Sequence, residues 1–221
     1  MTQQKEQKLM NVPNVLSLVR MVMVPLCIAA ILYMPALCGG IQTPTLRLWL
    51  VCLVPTLIFA LTALTDMLDG KIARKYGLIT DFGKFIDPLA DKFMVFGILI
   101  AILSAPLYAE IRPVFVWVTA IVMLRELGVT SLRLVVASRG VVVPASWWGK
   151  VKTVTQIVAL VLILMEPAIL QHLPYNPAES FNLLVDGHLI AWLAMAGIAV
   201  TTVGSGVDYL KSLWPYVTGK R

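Results

Sequence analysis

Charged residues are scarce in this chain of 221 amino acids. Asp, Glu, Lys and Arg make up only 14% of it, hydrophobic residues make up 59%, and the mean hydropathy is +0.85. Because soluble domains carry about 25% charged residues, this composition excludes that class. The three cysteines form no CxxC pair and no metal-ligand spacing, so we interpret them as small apolar residues. The composition is that of an integral membrane protein.

Long apolar stretches indicate the fold. Six of them recur, one from about 15–23 to 34 and the others at 46–65, 93–105, 113–124, 154–165 and 189–203. With flanking helix-forming residues, each approaches the roughly 20 residues that cross a bilayer. The breaks between them carry turn residues, namely Pro35 with Gly39-Gly40, Gly77, Pro106 with Pro113, Gly140 with Pro144, and QHLPYNPAES. We predict one all-α membrane domain over residues 1–221, with six transmembrane helices and a polar cytoplasmic segment at residues 1–12.

Lys and Arg are concentrated at the two termini and in the second and fourth connections. The opposite side keeps only Arg47 and Arg112 and collects Glu110, Glu166, Glu179 and Asp186. Since positive charge marks the cytoplasmic side, both termini are predicted to be cytoplasmic. The net charge of +6 is then a one-sided basic face, which suits anionic lipid or a phosphorylated substrate. No aromatic-basic surface for nucleic acid is present in the sequence.

Five aspartates interrupt the apolar pattern in TDMLDGKIARKYGLITDFGKFIDPLADK, residues 65–92, and four of them, Asp66, Asp69, Asp87 and Asp91, are candidates for one site. An ionised Asp at mid-membrane costs roughly 2.5–3.5 kcal/mol, so Asp66, Asp69, Asp87 and Asp91 together need compensation on the order of 10 kcal/mol. A cation or a basic side chain must therefore lie among these carboxylates.

Helical spacing predicts that these carboxylates converge. One side of the second helix carries Asp66, Asp69, Gly70, Ala73 and Arg74, and one side of the third carries Gly83, Asp87 and Asp91. The two rows face each other near the cytoplasmic surface if the helices form an antiparallel hairpin across Gly77. Taken singly, Asp66 or Asp69 could instead pair with Lys71 or Lys75, and Asp81 is expected to cap a helix.

Carboxylates without His or Cys are hard oxygen ligands, which suit Mg²⁺ or Mn²⁺ and argue against zinc. Four negative charges call for about two such ions, an arrangement that serves in-line phosphoryl displacement. Gly70 would let a ligand approach the backbone closely, and Arg74 would bind phosphate oxygens. The sequence therefore predicts a diphosphate site.

The pattern D-x2-D-G-x2-A-R-x8-G-x3-D-x3-D is complete here, from Asp66 to Asp91. It resembles the signature of the CDP-alcohol phosphotransferases. The segments PNVLSLVR, FGKFIDPLADK, LRELGVTSLR, SWWGKVKTVTQ and VDYL resemble the bacterial branch of that family whose acceptor is glycerol 3-phosphate. The resemblance implies a homodimer with six transmembrane helices in the bacterial inner membrane, and displacement of CMP from CDP-diacylglycerol.

The same resemblance assigns roles to individual residues. It implies a divalent metal pair held by Asp66, Asp69, Asp87 and Asp91, with Asp91 as the general base. This role agrees with the chemistry, because an alcohol is a poor nucleophile at neutral pH until a carboxylate accepts its proton. CDP-diacylglycerol would be bound by Gly70, Arg74, Asp66 and Asp69.

Glycerol 3-phosphate brings a phosphate of its own and needs further cations. We predict that Arg125, Arg133 and Lys150 supply them. Glu126 is expected to pair locally, while Arg139 and Lys152 are more exposed candidates. Arg20 and Asn14 either support the nucleotide or anchor their helix at the membrane interface.

Three alternatives remain open at this point. A phosphatidylinositol-phosphate synthase or a cardiolipin synthase would share every aspartate and differ only in the acceptor pocket. A Mg²⁺-dependent membrane prenyltransferase also binds a diphosphate, although its aspartate motifs lie far apart in sequence. A divalent-cation carrier would explain intramembrane carboxylates but would leave Gly70, Arg74 and the basic residues without a purpose. Release of CMP separates the first class from the other two.

Overall fold

The computed structural model describes residues 12–76, 81–138, 146–170 and 188–217, and the side chains of all of these except residues 12, 13, 68–76, 81, 84 and 217. These ranges contain six long helices and no β-strand. The helices are α1 (Val12–Leu37), α2 (Pro44–Tyr76), α3 (Asp81–Ser104), α4 (Arg112–Ala137), α5 (Trp147–Leu170) and α6 (Leu189–Val217). Short 3₁₀ turns follow α1 at Cys38–Gly40 and α3 at Pro106–Tyr108. The all-α prediction is therefore confirmed for the described residues.

Several helices extend well beyond the apolar stretches that predicted them. The apolar stretch of the second helix ends at 65 and the helix continues to Tyr76, while the apolar stretch of the third starts at 93 and the helix begins at Asp81. Both extensions agree with the prediction that the aspartates lie on these two helices. Hydrophobicity marks only the part of a helix that contacts lipid or core, whereas the backbone hydrogen bonds continue through polar residues. The aspartates lie on these polar extensions.

Within the described residues, five stretches are long and apolar enough to cross a membrane, namely Asn14–Gly40, Pro44–Met67, Arg112–Ala137, Trp147–Leu170 and Leu189–Tyr216. Helix α3 is not among them, because its apolar part follows a first half that carries Asp87, Asp91 and Lys92. Large apolar side chains such as Val22, Trp117 and Leu193 are 63%, 70% and 65% exposed, as expected of surfaces that contact lipid.

The chain forms two compact units, Met1–Ala105 and Pro106–Arg221. In the first unit, α1 packs against both α2 and α3. The Cys27 thiol of α1 donates to the Pro55 carbonyl of α2 at 3.4 Å, which places the two backbones close together. A Cβ at Gly97 of α3 would stand 3.0 Å from side-chain atoms of Val24 and Ile28, so a larger residue there would require these side chains to shift by a few tenths of an ångström. Helix α1 is thus the common packing partner of α2 and α3.

In the second unit, α6 packs against both α4 and α5. Its core includes Phe115, Leu160, Ile163, Ile198 and Leu213, all fully buried. Pro113 lies in the first turn of α4, where a missing backbone donor costs nothing. The turns predicted at Gly77, at Gly140 with Pro144, and at QHLPYNPAES lie outside the described residues.

Candidate active site

Three of the four aspartates have described side chains, and helices α2 and α3 carry them. Asp66 lies on α2, while Asp87 and Asp91 lie one turn apart on α3. Pro88 follows Asp87 inside the helix, so this segment lacks one backbone hydrogen-bond donor. Asp69, Gly70 and Arg74 lie on α2, but their side chains are outside the described part.

A buried arginine from α1 joins the aspartates of the two other helices. The Nη1 atom of Arg20 lies 2.5 Å from Asp66 Oδ1 and 2.5 Å from Asp91 Oδ1, so the two carboxylate oxygens are at most twice that distance apart. The Arg20 side chain is 1% exposed, against 26% for Asp66 and 53% for Asp91. Arg20 is therefore an internal counter-charge of this site, with its charge shared between two anions.

Further polar residues lie on the same part of α1. Ser17 Oγ donates to Asp87 Oδ1 at 2.5 Å, and Asn14, Ser17 and Arg20 are all buried. A spacing of three keeps these side chains within about 120° of one another around the helix. Ser17 was not predicted, although three polar residues at this spacing in an otherwise apolar helix were a detectable signal. The interface-anchor interpretation of Arg20 is wrong, because an anchor would place its guanidinium in water.

The antiparallel hairpin expected of α2 and α3 stays a prediction, because the turn at Gly77 and the side chains of residues 68–76 lie outside the described part of the chain. The extensive contacts of both helices are with α1, and the contact that joins Asp66 to Asp91 runs through Arg20. The predicted need for positive charge among the aspartates is thus met by a residue outside their own motif.

The donor set suits a hard divalent cation. Asp66 and Asp91 both bring carboxylate oxygens to Arg20, and oxygen is the ligand that Mg²⁺ and Mn²⁺ prefer. Within the described side chains no group of three or more His, Cys, Asp or Glu residues is placed to hold a metal. Asp69, which was predicted to complete the set, does not belong to those side chains.

A second charged cluster lies in the second unit, where it connects all three long helices. Glu126 Oε1 of α4 accepts from Arg125 Nη1 at 3.2 Å and from Lys152 Nζ of α5. Arg125 Nη2 donates to Ser205 Oγ of α6. Side-chain exposures are 11% for Arg125, 16% for Glu126 and 5% for Lys152. Two cations and one anion leave this buried cluster with one net positive charge.

Tyr209 of α6 holds the same cluster from another side. Its ring centroid lies 5.5 Å from the guanidinium carbon of Arg125, within cation–π range. Its hydroxyl accepts from the Ser146 backbone N–H at 3.1 Å, and Ser146 Oγ in turn accepts from the Gly149 N–H in the first turn of α5. Tyr209 and Ser205 therefore tie Arg125 to both neighbouring helices. Neither was predicted as a site residue, although Tyr209 belongs to the quoted VDYL segment.

The predicted acceptor residues are not equivalent. Arg125 is largely buried, whereas Arg133 on α4 and Lys150 on α5 are exposed. Lys152 was expected to be exposed and is instead buried beside Glu126, because it faces the helix interface while Lys150 does not. The local pairing of Glu126 is confirmed. Arg139 lies outside the described residues.

A third cluster lies where α4 begins, α5 ends and α6 begins. His188 Nε2 lies 2.6 Å from Glu110 Oε2, and its Nδ1 lies 3.3 Å from Glu166 Oε2. Glu166 also accepts from the Ala191 backbone N–H at 2.9 Å, in the first turn of α6. Partial burial alone would lower the pKa of His188, but the hydrogen bonds and charges of Glu110 and Glu166 outweigh it and raise that pKa above its ordinary value. His188 has a φ of 48°, a left-handed conformation that these contacts stabilise.

Membrane-length helices, paired carboxylates and a buried cationic cluster define a class of membrane enzyme that acts on phosphorylated lipid substrates. The sequence pattern of CDP-alcohol phosphatidyltransferases matches residues 10–203. The chain is 38% identical over 205 residues to a Mycobacterium tuberculosis protein named probable phosphatidylglycerophosphate synthase, covering 92% of this chain and 81% of the relative. It is 34% identical to the Bacillus subtilis CDP-diacylglycerol–glycerol-3-phosphate 3-phosphatidyltransferase over 204 residues, covering 92% and 95%. The corresponding Rickettsia bellii enzyme is 32% identical over 206 residues, covering 93% and 97%. The chain belongs to the CDP-alcohol phosphatidyltransferase family.

Proposed function

We propose that this protein transfers the phosphatidyl group of CDP-diacylglycerol to sn-glycerol 3-phosphate, giving phosphatidylglycerophosphate and CMP. The observation that carries the proposal is that Arg20 joins Asp66 and Asp91, two aspartates of the family motif. The names of the Bacillus subtilis and Rickettsia bellii relatives support the choice of donor and acceptor.

In the proposed reaction, the acceptor's free hydroxyl oxygen forms a bond to the phosphorus that carries the diacylglycerol. The bond between that phosphorus and the bridging oxygen breaks, and CMP leaves with the electron pair. The hydroxyl proton goes to a carboxylate, for which Asp91 is the best candidate because half of its side chain is exposed. Arg20 fixes the position of this carboxylate through a charge-assisted hydrogen bond.

Asp66, Asp69, Asp87 and Asp91 are the residues that would hold Mg²⁺ or Mn²⁺, with two ions in our proposal. Bound metal would supply electrostatic stabilisation of the charge that develops on the diphosphate. Gly70 and Arg74 would bind the diphosphate on the same side of α2. Ser17 fixes the orientation of Asp87 by its hydrogen bond, a supporting role of the kind that second-layer residues have at metal sites.

The acceptor's phosphate is assigned to the cationic cluster of the second unit. Arg125 is the main candidate, because it is largely buried and the cluster has one net positive charge. Arg133 and Lys150 stay predicted contributors, with smaller effects expected because exposed charges are screened by water. Lys152 adds a second buried cation that was not assigned to the pocket from sequence.

The membrane arrangement belongs to the same proposal. Five described stretches meet the length and hydropathy of a membrane span, and we propose that the apolar half of α3 makes the sixth. The distribution of Lys and Arg supports cytoplasmic termini in a bacterial inner membrane. A homodimer is the assembly we propose from the family resemblance.

The decisive experiment incubates the purified protein with CDP-diacylglycerol and one acceptor at a time. Glycerol 3-phosphate, inositol 1-phosphate and phosphatidylglycerol are compared by CMP release and by the mass of the lipid product. We expect the highest kcat/KM with glycerol 3-phosphate. Preference for either rival would refute the acceptor assignment, and absence of CMP with all three would refute phosphatidyl transfer.

The acceptor site is tested with the same assay. Arg125→Ala should raise the KM for glycerol 3-phosphate roughly 10- to 100-fold, the equivalent of one charge-assisted contact. Arg133→Ala and Lys150→Ala should raise it less, because their side chains are exposed. The KM for CDP-diacylglycerol should stay near that of the parent protein. Variants that weaken only CDP-diacylglycerol binding would show that the acceptor pocket is misplaced.

A further inference from the structure

One carboxylate oxygen accepts hydrogen bonds from two buried cations, Arg125 and Lys152, in the second unit. Glu126 Oε1 accepts from Arg125 and from Lys152, which approach it from α4 and α5. All three side chains are at least four-fifths buried, so water competes little for these contacts. A negative charge at this place needs explanation, since by charge alone it would weaken the binding of an anionic substrate.

We propose that Glu126 is a positioning residue for the acceptor, holding Arg125 and Lys152 at a fixed separation so that both can donate to one phosphate group. The proposal rests on the proposed function, in which Arg125 binds the phosphate of glycerol 3-phosphate. Glu126 itself does not touch the substrate. It acts through the two cations.

The other contacts of Arg125 agree with a fixed guanidinium. Ser205 accepts from one of its terminal nitrogens, and the Tyr209 ring lies against its carbon. A methyl group at Gly206 would stand 3.6 Å from Arg125 Cγ, so the α6 backbone also borders the aliphatic stem. Glu126 completes this set and is the member that reaches Lys152 as well.

The physical benefit of this arrangement is that the side chains of Arg125 and Lys152 are already ordered before the substrate binds. Lys and Arg side chains have many rotamers, and a ligand that must immobilise them binds less tightly. Because Glu126 already holds both, the phosphate meets two donors whose positions are set. Without this carboxylate, the cluster would gain net positive charge but lose its fixed geometry.

The gain in positive charge and the loss of fixed geometry would change the KM for glycerol 3-phosphate in opposite directions. The variant Glu126→Gln therefore tests the proposal. If Glu126 only lowers the positive charge, the variant should bind glycerol 3-phosphate more tightly and its KM should fall. If Glu126 positions the cations, the KM for glycerol 3-phosphate should rise about 5- to 20-fold while the KM for CDP-diacylglycerol is unchanged.

A double-mutant cycle identifies the route of the effect. Lys152→Met should raise the same KM, and the double variant Glu126→Gln/Lys152→Met should be little worse than either single one, because both changes remove one shared arrangement. Fully additive losses would overturn the proposal. So would an unchanged or lowered KM in Glu126→Gln.

Three further variants complete the experiment. Glu110→Gln is the matched control, since Glu110 pairs with His188 away from this cluster, and it should leave both KM values unchanged. Glu126→Asp keeps the negative charge on a shorter side chain and should give an intermediate KM for glycerol 3-phosphate. If Glu126→Gln does not fold, an unaltered KM in Glu126→Asp overturns the proposal. Arg125→Ala separates the two proposals: an unchanged KM there refutes the acceptor site, whereas a raised KM there without one in Glu126→Gln refutes only the positioning role.

Discussion

Replacing Arg20 by Met should destabilise the first unit by about 2–3 kcal/mol, and the magnitude follows from the exposure of its two partners. A charge-assisted hydrogen bond to a mostly buried group contributes roughly 1.5–3 kcal/mol, which applies to Asp66 at 26% exposure. Asp91 is 53% exposed, so its contact with Arg20 is screened by water and contributes about 1 kcal/mol or less. Removing the guanidinium also removes the free-energy cost of burying its charge, and this offsets part of the lost stability.

The assay is equilibrium unfolding of the purified protein in mixed micelles, with a chelator and again with Mg²⁺. Double-mutant cycles pair Arg20→Met with Asp66→Asn and with Asp91→Asn, and each gives a coupling energy. We expect a larger coupling to Asp66 than to Asp91. Arg20→Lys is the conservative control and should recover about half of the loss, because an ammonium keeps the charge but not the planar fork. Zero coupling to both aspartates, or a larger coupling to Asp91, would refute the reasoning.

Further outcomes follow from the other sites. Asp66→Asn and Asp87→Asn should each abolish turnover while the protein stays folded, and near-normal activity at saturating Mg²⁺ would contradict the metal assignment. Asp91→Asn should bind CDP-diacylglycerol yet slow the chemical step by roughly 10² to 10⁴, which single-turnover rates can measure; an unchanged rate would place the base elsewhere. A raised pKa means that the folded state favours protonated His188, so its stabilising contribution is full below about pH 6.5 and is lost as pH rises through the folded-state pKa. Thermal unfolding from pH 5 to 9 should therefore show a pH-dependent loss that His188→Gln removes and that His172→Gln, at the other histidine, leaves in place.

The sequence predicted the helices and the aspartate motif because both depend on local patterns. Apolar stretches locate helices, and the spacing of Asp87 and Asp91 alone puts them on one face of α3. Polar residues continue α2 as far as Tyr76 without any apolar signal, so the end of this helix was predicted from the expected turn at Gly77 and not from hydrophobicity. Metal ligands and the general base stay predictions, in part because the Asp69 side chain is outside the described residues.

Partnerships between distant residues could not be predicted in the same way. Nothing in the local sequence says that Arg20 will be buried between aspartates of two later helices, because the packing of α1 against α2 and α3 decides it. Lys150 and Lys152 look alike in sequence, yet one is exposed and the other buried, since a shift of two positions turns a residue by about 200° around the helix. Which of the two lysines is buried depends on how α5 is oriented about its own axis as it packs against its neighbours.

The position of Arg20 in α1 also affects how the chain enters the membrane. Arg20 lies 71 residues ahead of Asp91, so translation at roughly 5–20 residues per second delivers the cation several seconds before that aspartate. If α1 has already inserted, the acidic segments of α2 and α3 would meet a positive charge as they enter, and the free-energy cost of inserting them would be lower. A circularly permuted chain that made α2 and α3 before α1 would have to insert these carboxylates without it. The order of the helices along the chain is therefore a feature of biogenesis as well as of packing.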